Sequence, residues 1–286
     1  MIRVVSPGLL STIQDLGRPG YAAWGVSMSG AADALSLRAG NRLVGNPPGL
    51  PAIEMTMTGG AFEFAVDAVV AVTGALPLWQ RRQVRAGEVV RCGPFHEGAR
   101  QYLCVRGGIA VPRIMGSAST HVVTGVGGRP LRKGEALSIG PAVGPLPAQE
   151  SLLAPSKTSR LRVIPGPQSE WFGEEFYAET YRVSPQSDRM GLRLDGPPVT
   201  ARITAQLLTE GVPLGAIQIT TGGAPIILFV EHQTTGGYPK IASVISADFH
   251  TLGQLRPRDQ VAFTRVSLEE AIEALRQQER WLDELA

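Results

Sequence analysis

Short apolar runs of period two, each cut off by glycine or proline, recur along the chain and leave little room for any architecture but β. Residues 1–5, 53–57, 61–66, 69–73, 88–91 and 101–105 alternate in the first half. Residues 160–164, 181–184, 215–220, 226–230, 241–246 and 260–265 do so in the second. With 34 glycines and 22 prolines in 286 residues, turns are plentiful enough to connect that many strands. Helices are few. One is expected after Gly30, capped by Asp33, carrying Leu35, Leu37, Ala39, Leu43 and Val44, and stopped at Gly45-Asn46-Pro47. A short one is expected over residues 169–176. A last one starts at Ser267, where Glu270 completes a capping box and Ala271, Ile272, Leu275 and Leu282 form an apolar stripe suited to packing.

The two halves echo one another. Ala52-Ile-Glu-Met-Thr-Met-Thr-Gly-Gly-Ala61 resembles Ala216-Ile-Gln-Ile-Thr-Thr-Gly-Gly-Ala224 with one residue skipped, and Asn41-Arg-Leu43 matches Asp188-Arg-Met190 more faintly. Two related β-domains explain this better than one mixed domain. Residues 141–159, rich in Pro, Ala and Ser, read as the linker between a domain over residues 1–145 and another over 146–286.

Charge and motifs exclude several function classes. A net charge of +2 gives no bulk attraction to nucleic acid or to a membrane surface. No apolar run approaches membrane-span length, and the N-terminus lacks a signal-type apolar core, so a cytoplasmic protein is expected. Cys92 and Cys104 stand in strand-like surroundings without metal spacing and read as reduced thiols. His96, His121 and His250 lie far apart in sequence. A P-loop, a His-Glu-x-x-His helix and a G-x-S-x-G elbow are absent, and Pro130 occupies the last glycine position of a dinucleotide fingerprint begun at Gly125. Without a Met-Lys-Met, the chain offers no conventional biotin attachment point either.

Polar clusters at turns remain. Gln14, Asp15 and Arg18 form one, and Ser187-Asp-Arg-Met-Gly191 another. The richest is Glu231-His-Gln-Thr-Thr-Gly-Gly-Tyr-Pro-Lys240, held between two β-type runs. Asp15 and Asp188 could simply cap turns, Arg189 could be a structural ion-pair partner, and His232 an edge residue. Tyr238, fixed between Gly237 and Pro239, would make a good substrate wall.

Six segments in order carry a resemblance: Thr12-Ile-Gln-Asp-Leu-Gly-Arg-Pro-Gly20, Ser29-Gly-Ala-Ala-Asp33, Asn41-Arg-Leu-Val-Gly-Asn46, Ser187-Asp-Arg-Met-Gly-Leu-Arg-Leu194, Gly215-Ala-Ile-Gln218 and Gln233-Thr-Thr-Gly-Gly-Tyr-Pro-Lys240. Together they resemble the signature of the allophanate-hydrolase-subunit-2 family, also called the biotin-dependent carboxyltransferase family, almost end to end. The resemblance implies a mainly β protein of two tandem cyclophilin-like β-barrel domains with a few short helices. It implies a C-type subunit, inactive alone, of an ATP-dependent 5-oxoprolinase complex that hydrolyses 5-oxo-L-proline to L-glutamate. Its partners would be a subunit-1-type protein, similar to the B-type component of 5-oxoprolinase, and a lactam-utilisation-type protein as the A-type component, with ATP used by the complex.

Two alternatives stay open. One is the carboxyltransferase subunit of a biotin-dependent urea or amide carboxylase, with biotin carried by a partner. The other is a regulatory antagonist that binds a kinase-inhibitor partner. For a lactam substrate, chemistry assigns Arg189 to the carboxylate and Gln218, Gln233 and Thr234 to the amide. Thr235 and Lys240 complete the binding set, and Asp188, His232 and Tyr238 are candidates for proton transfer. The chain has Ala118 where the family often has arginine, and Leu76 where an aspartate is common. These departures point to the second-half motifs, or the junction of the two barrels, as the site.

Overall fold

Every period-two run named above forms a strand in the computed structural model, which describes residues 1–95, 97–203 and 205–284. The chain folds as two units. The first comprises Met1–Arg18, Ser29–Lys157 and the residues from Arg280 onward, and the second Pro19–Met28 and Thr158–Glu279.

The first unit contains β1 (Ile2–Ser6), β2 (Leu10–Gln14), α1 (Ala34–Leu43), β3 (Ala52–Thr56), β4 (Ala61–Phe64), β5 (Ala68–Gly74), β6 (Leu78–Val84), β7 (Val89–Arg91), β8 (Arg100–Val105), β9 (Ile109–Ala110), β10 (Ala136–Ile139) and β11 (Ser151–Leu153). These strands make two sheets, ordered β7-β4-β1-β10-β9 and β11-β6-β5-β8-β3-β2. Val4, Phe62, Phe64 and Leu137 of the first sheet share a core with Ile53, Met55, Val70 and Leu103 of the second. Burying side chains of this size is worth about 1.5–3 kcal/mol each.

The outer face of the second sheet is covered by α1, whose Leu35, Leu37, Ala39 and Leu43 pack with Ala71, Trp79, Tyr102 and Cys104. That helix starts as expected. Asp33 accepts from Ser36 N at 2.9 Å and from Ser36 Oγ at 2.5 Å. Gly40 sets how closely it lies on the sheet, since a Cβ there would stand 2.6 Å from Cys104 Sγ and 3.0 Å from Thr73 Oγ1. Gly40→Ala is therefore expected to destabilise the chain by about 1–3 kcal/mol through overpacking. Adding Cys104→Ala should recover part of that loss in thermal melts, and a neutral Gly40→Ala would refute the close approach. Burial pushes the Cys104 thiol up and that of Cys92 to about 12, and both cysteines are free.

The stretch read as a linker is partly structured. Its residues Ser151, Leu152 and Leu153 pair with Gln80, Trp79 and Leu78, so β11 covers the edge of β6. Arg81 holds the approach by donating to Pro147 O at 2.8 Å and pairing with Glu150 at 2.9 Å. Backbone pairing at a sheet edge makes few demands on side chains, so composition alone could not reveal it.

The second unit contains β12 (Arg160–Pro165), α2 (Glu175–Ala178), β13 (Thr180–Val183), β14 (Gly191–Asp195), β15 (Glu210–Gly211), β16 (Ala216–Ile219), β17 (Pro225–Leu228), β18 (Thr235–Gly236), β19 (Lys240–Val244), α3 (Phe249–Gln254), β20 (Gln260–Arg265) and most of α4 (Leu268–Asp283), whose residues from Arg280 onward are counted with the first unit. Seven strands form a closed barrel, β12-β19-β16-β17-β14-β13-β20, sealed by the parallel pairing of β12 with β20. Alternate residues, including Leu161 and Val163, Tyr181 and Val183, and Leu192 and Leu194, are buried. Phe176 of α2 stacks on Phe263, centroids 4.7 Å apart. β15 and β18 form a separate two-stranded ribbon. The mainly β class with a few short helices is borne out.

Two helix expectations need correction. In place of one helix over 169–176 there is a 3-10 turn, Ser169–Trp171, and the short α2, with Gly173 between them. The capping box of α4 forms as read, with Ser267 N donating to Glu270 at 2.7 Å and Glu270 N to Ser267 Oγ at 3.1 Å. Its stripe is mostly uncovered: Ile272 and Leu275 are exposed, and only Leu282 is buried. Amphipathic spacing tells which face of a helix is apolar, not whether anything lies against it.

Candidate functional site

The loop from Glu231 to Lys240 follows β17 and leads into β19, so the barrel fixes both of its ends. Its start is tied to the Ser187–Gly191 turn, because Phe229 N donates to Met190 O at 3.0 Å and Glu231 N to Arg189 O at 2.7 Å. Sequence-distant clusters are thereby brought together. What they do there differs from residue to residue.

Arg189, expected to hold a substrate carboxylate, is buried with its Nε 2.5 Å from Glu231 Oε1, and the two side chains are 7% and 0% exposed. Binding a ligand carboxylate through Arg189 would require breaking that pair. Asp188 is exposed, and its Oδ1 accepts from Met190 N at 2.8 Å and Gly191 N at 3.1 Å, a turn that launches β14. His232 is buried, with Nδ1 2.6 Å from Gln233 O. A proton assigned to Nδ1 leaves Nε2 as the ring's acceptor. Burial lowers the His232 pKa, partly offset by the hydrogen bond to Gln233, so the ring is neutral at pH 7.

Gln218 sits on β16 at the position that echoes Glu54 on β3, and both are buried. Glu54 accepts from Tyr102 Oη and Ala32 N, each at 2.8 Å. Gln218 is held more loosely. Its Nε2 reaches Tyr238 O, and Gln233 Nε2 reaches Gln218 Oε1, both at 3.4 Å. Long contacts of this kind leave two side-chain amides able to exchange partners for a ligand. Thr234 accepts through its backbone from Val212 N at 3.1 Å, and Thr235 belongs to the ribbon opposite Gly211.

Lys240 is buried and its Nζ pairs with Glu210 Oε1, whose side chain is 41% exposed. Gln168 completes the arrangement by donating to Glu210 at 3.2 Å and accepting from Lys240 N at 3.0 Å. The Lys240 ammonium holds the Glu210 carboxyl below the ordinary glutamate range. Sequence reasoning missed Glu210 and Gln168. The acid of Glu210-Gly211 opens a strand, but nothing local pairs it with a lysine thirty positions later.

Tyr238 is 42% exposed and, with Gly237 and Pro239, borders a cavity of about 800 Å³. Trp171, Phe172, Val199, Leu207 and Ile219 are among the apolar residues of its wall.

In the first unit, the expected cluster at Gln14, Asp15 and Arg18 is built into the fold. Asp15 accepts from Ser117 Oγ and Ser119 Oγ at 2.6 Å, Ala118 N at 2.7 Å and Gly17 N at 2.8 Å. Gln14 Nε2 donates to Thr120 O at 2.8 Å, and Arg18 to Ser119 O. Among the described residues no group of three His, Cys, Asp or Glu side chains is placed to hold a metal, and no helix is long and apolar enough to cross a membrane. His96 lies outside the described residues.

A closed β-barrel with a polar loop at the edge of a cavity whose described lining is uncharged is the class of domain seen here. Comparison with known proteins gives the class its family. The family model for the carboxyltransferase domain, subdomain A and B, matches residues 24–265, and the chain belongs to that family. It is 36% identical to the C-type subunit of 5-oxoprolinase from Escherichia coli over 100% of this chain and 98% of that one. The corresponding 5-oxoprolinase protein of Haemophilus influenzae is 35% identical, over 100% of this chain and 97% of that one. The crystal structure of Kluyveromyces lactis urea carboxylase superposes with a TM-score of 0.90 at 30% identity and covers the whole chain, which spans 29% of that protein.

Proposed function

We propose that this chain is the C-type subunit of an ATP-dependent 5-oxoprolinase, a cytoplasmic complex that hydrolyses 5-oxo-L-proline to L-glutamate. The observation that carries this reading is the end-to-end match, at 36% identity, to a stand-alone protein of that name. The partners are a subunit-1-type protein and a lactam-utilisation-type protein, and the chain is inactive alone. Gln218 and Gln233 hydrogen-bond the lactam amide, and His232, neutral with Nε2 as its acceptor, takes a proton from the water that attacks the lactam carbonyl and returns it to the nitrogen released as the C–N bond breaks. The described residues of the cavity lining include no lysine or arginine and do not suit a triphosphate, so ATP is assigned to one of the partners.

The test is reconstitution. The chain co-expressed with its two partners is expected to release glutamate from 5-oxo-L-proline only when ATP is added, and a complete complex that releases none would end this reading. Within an active complex, His232→Ala should lower kcat by about 10²–10⁴-fold. A base works when deprotonated, and burial sets the His232 pKa below 6.5. Wild-type activity should therefore fall on the acid side with a midpoint below 6.5. Wild-type rates from His232→Ala would remove the histidine from the mechanism.

The superposition on urea carboxylase favours a second reading, carboxyl transfer to urea or another amide from biotin carried by a partner. Biotin-dependent carboxylation by the same mixture, without glutamate release, would select it.

A further inference from the structure

The cavity beside Tyr238 has a lining at odds with an anionic substrate. Its described walls come from Trp171 and Phe172, residues 198–201, 203 and 205–207, the Ile219–Gly223 turn, and Gly237–Pro239. Among the described residues, none that lines it is Asp, Glu, Lys, Arg or His; the polar groups are neutral, chiefly those of Thr200, Gln206, Thr220, Thr221 and Tyr238. At about 800 Å³ it falls within the 300–1,000 Å³ typical of sites for drug-sized ligands, far more room than one five-membered lactam needs.

Its walls are also braced before any ligand arrives. Val199 N donates to Gly223 O at 2.9 Å, Arg202 N to Trp171 O at 2.7 Å, and Ala224 N to Thr220 Oγ1 at 3.0 Å. Gly223 has φ +79, and a Cβ on it would meet Pro198 Cβ at 2.9 Å and Val199 N at 3.0 Å, so the turn and the facing segment touch.

We infer that this cavity is a binding site for an uncharged, planar, ring-bearing small molecule, with carbonyl or amide groups that the neutral hydroxyls and amides can meet. A charged ligand would give up its hydration with no counter-charge on the walls. A flat ring gains apolar contact and stacking on Trp171, Phe172 and Tyr238. This goes beyond the proposed reaction and does not depend on it: the site is defined by its walls, and binding is measured without turnover.

The test uses the full-length chain and Nile red, an uncharged planar dye whose emission rises in apolar surroundings. Saturable binding with one dye per chain is expected, with 1-phenyl-2-pyrrolidinone displacing it and 5-oxo-L-proline at equal concentration failing to. Leu207→Asp, which puts a charge on the wall, should weaken dye binding about tenfold or more, whereas Leu208→Asp, on an 83% exposed neighbour outside the lining, should leave it unchanged. Melting curves check that both variants are folded. Should Leu207→Asp fail to fold, Trp171→Leu replaces it and is expected to weaken binding by removing the stacking surface. Binding that ignores both wall substitutions, or an anionic dye of similar size that binds as tightly in competition with Nile red, would overturn the proposal. Failure of glutamate release in the reconstituted complex would leave it standing.

Discussion

Arg189→Met should melt about 10 °C or more below the wild type in the transition that reports the second unit. The reason is the burial of its partner. Glu231 has no exposed side-chain surface, and Arg189 Nε stands 2.5 Å from its carboxylate. A buried pair contributes modestly to stability because both ions lost their water. Removing one ion alone takes from the other its buried charge partner, at a cost of about 3–5 kcal/mol. In a domain of this size each kcal/mol moves the midpoint by several degrees. The double variant Arg189→Met with Glu231→Leu should recover most of the loss, because no charge is then stranded. A single variant as stable as the wild type would contradict the geometry. The pair of variants also separates structure from function. If the double variant is stable and, in the complete complex, still opens the lactam, Arg189 serves the fold; if it is stable and inactive, the guanidinium reaches the substrate during turnover.

Asp15→Asn should cost about 3 kcal/mol or more in urea unfolding at pH 7, monitored on the first unit. The carboxylate is 3% exposed and collects hydrogen bonds from two serine hydroxyls and two backbone N–H groups, with Arg113 Nη1 a further 3.4 Å away. Hydrogen bonds to a charged acceptor are worth about 1.5–3 kcal/mol each, and an amide presents an NH₂ where an acceptor is needed. The pH dependence has a definite sign. Burial pushes the Asp15 carboxyl up, but the bonds from Ser117, Ser119, Ala118 and Gly17 more than offset it, and it titrates below its ordinary value of 3.8. Its contribution is thus fully present above the unfolded value and is lost as pH falls below 3.8 through the folded one. Wild type should lose its advantage over Asp15→Asn across that acid interval. An advantage that persists unchanged to lower pH would show that Asp15 acts through shape and not through charge.

The same two residues show how far the sequence could be read. Asp15 and Arg189 were visible as polar groups in turns, with a structural role weighed beside a functional one, but their partners lie elsewhere in the chain. Ser117 and Ser119 are about a hundred positions from Asp15, and Glu231 is forty-two from Arg189. The echo between Glu54 and Gln218 was legible because it is local on each strand, and both side chains are buried on central strands. Strand β6 was missed because Leu-Trp-Gln-Arg-Arg-Gln-Val buries only Trp79 and Val84, too few apolar positions for a period-two signal.

By itself the sequence determined what depends on near neighbours: alternation marked twelve of the strands, Asp33 and the Ser267–Glu270 box set helix starts, and glycines placed the turns. Only the tertiary structure decided what depends on distant ones. It closed the barrel by laying Arg160–Val163 beside Ala262–Arg265, gave Lys240 its Glu210, and left beside Tyr238 a cavity whose described lining is uncharged. The physical reason is that conformational preference acts over a few residues along the chain. Backbone pairing, ion pairing and enclosed volume arise where segments far apart in sequence meet, and the backbone groups that join them are alike in nearly every residue.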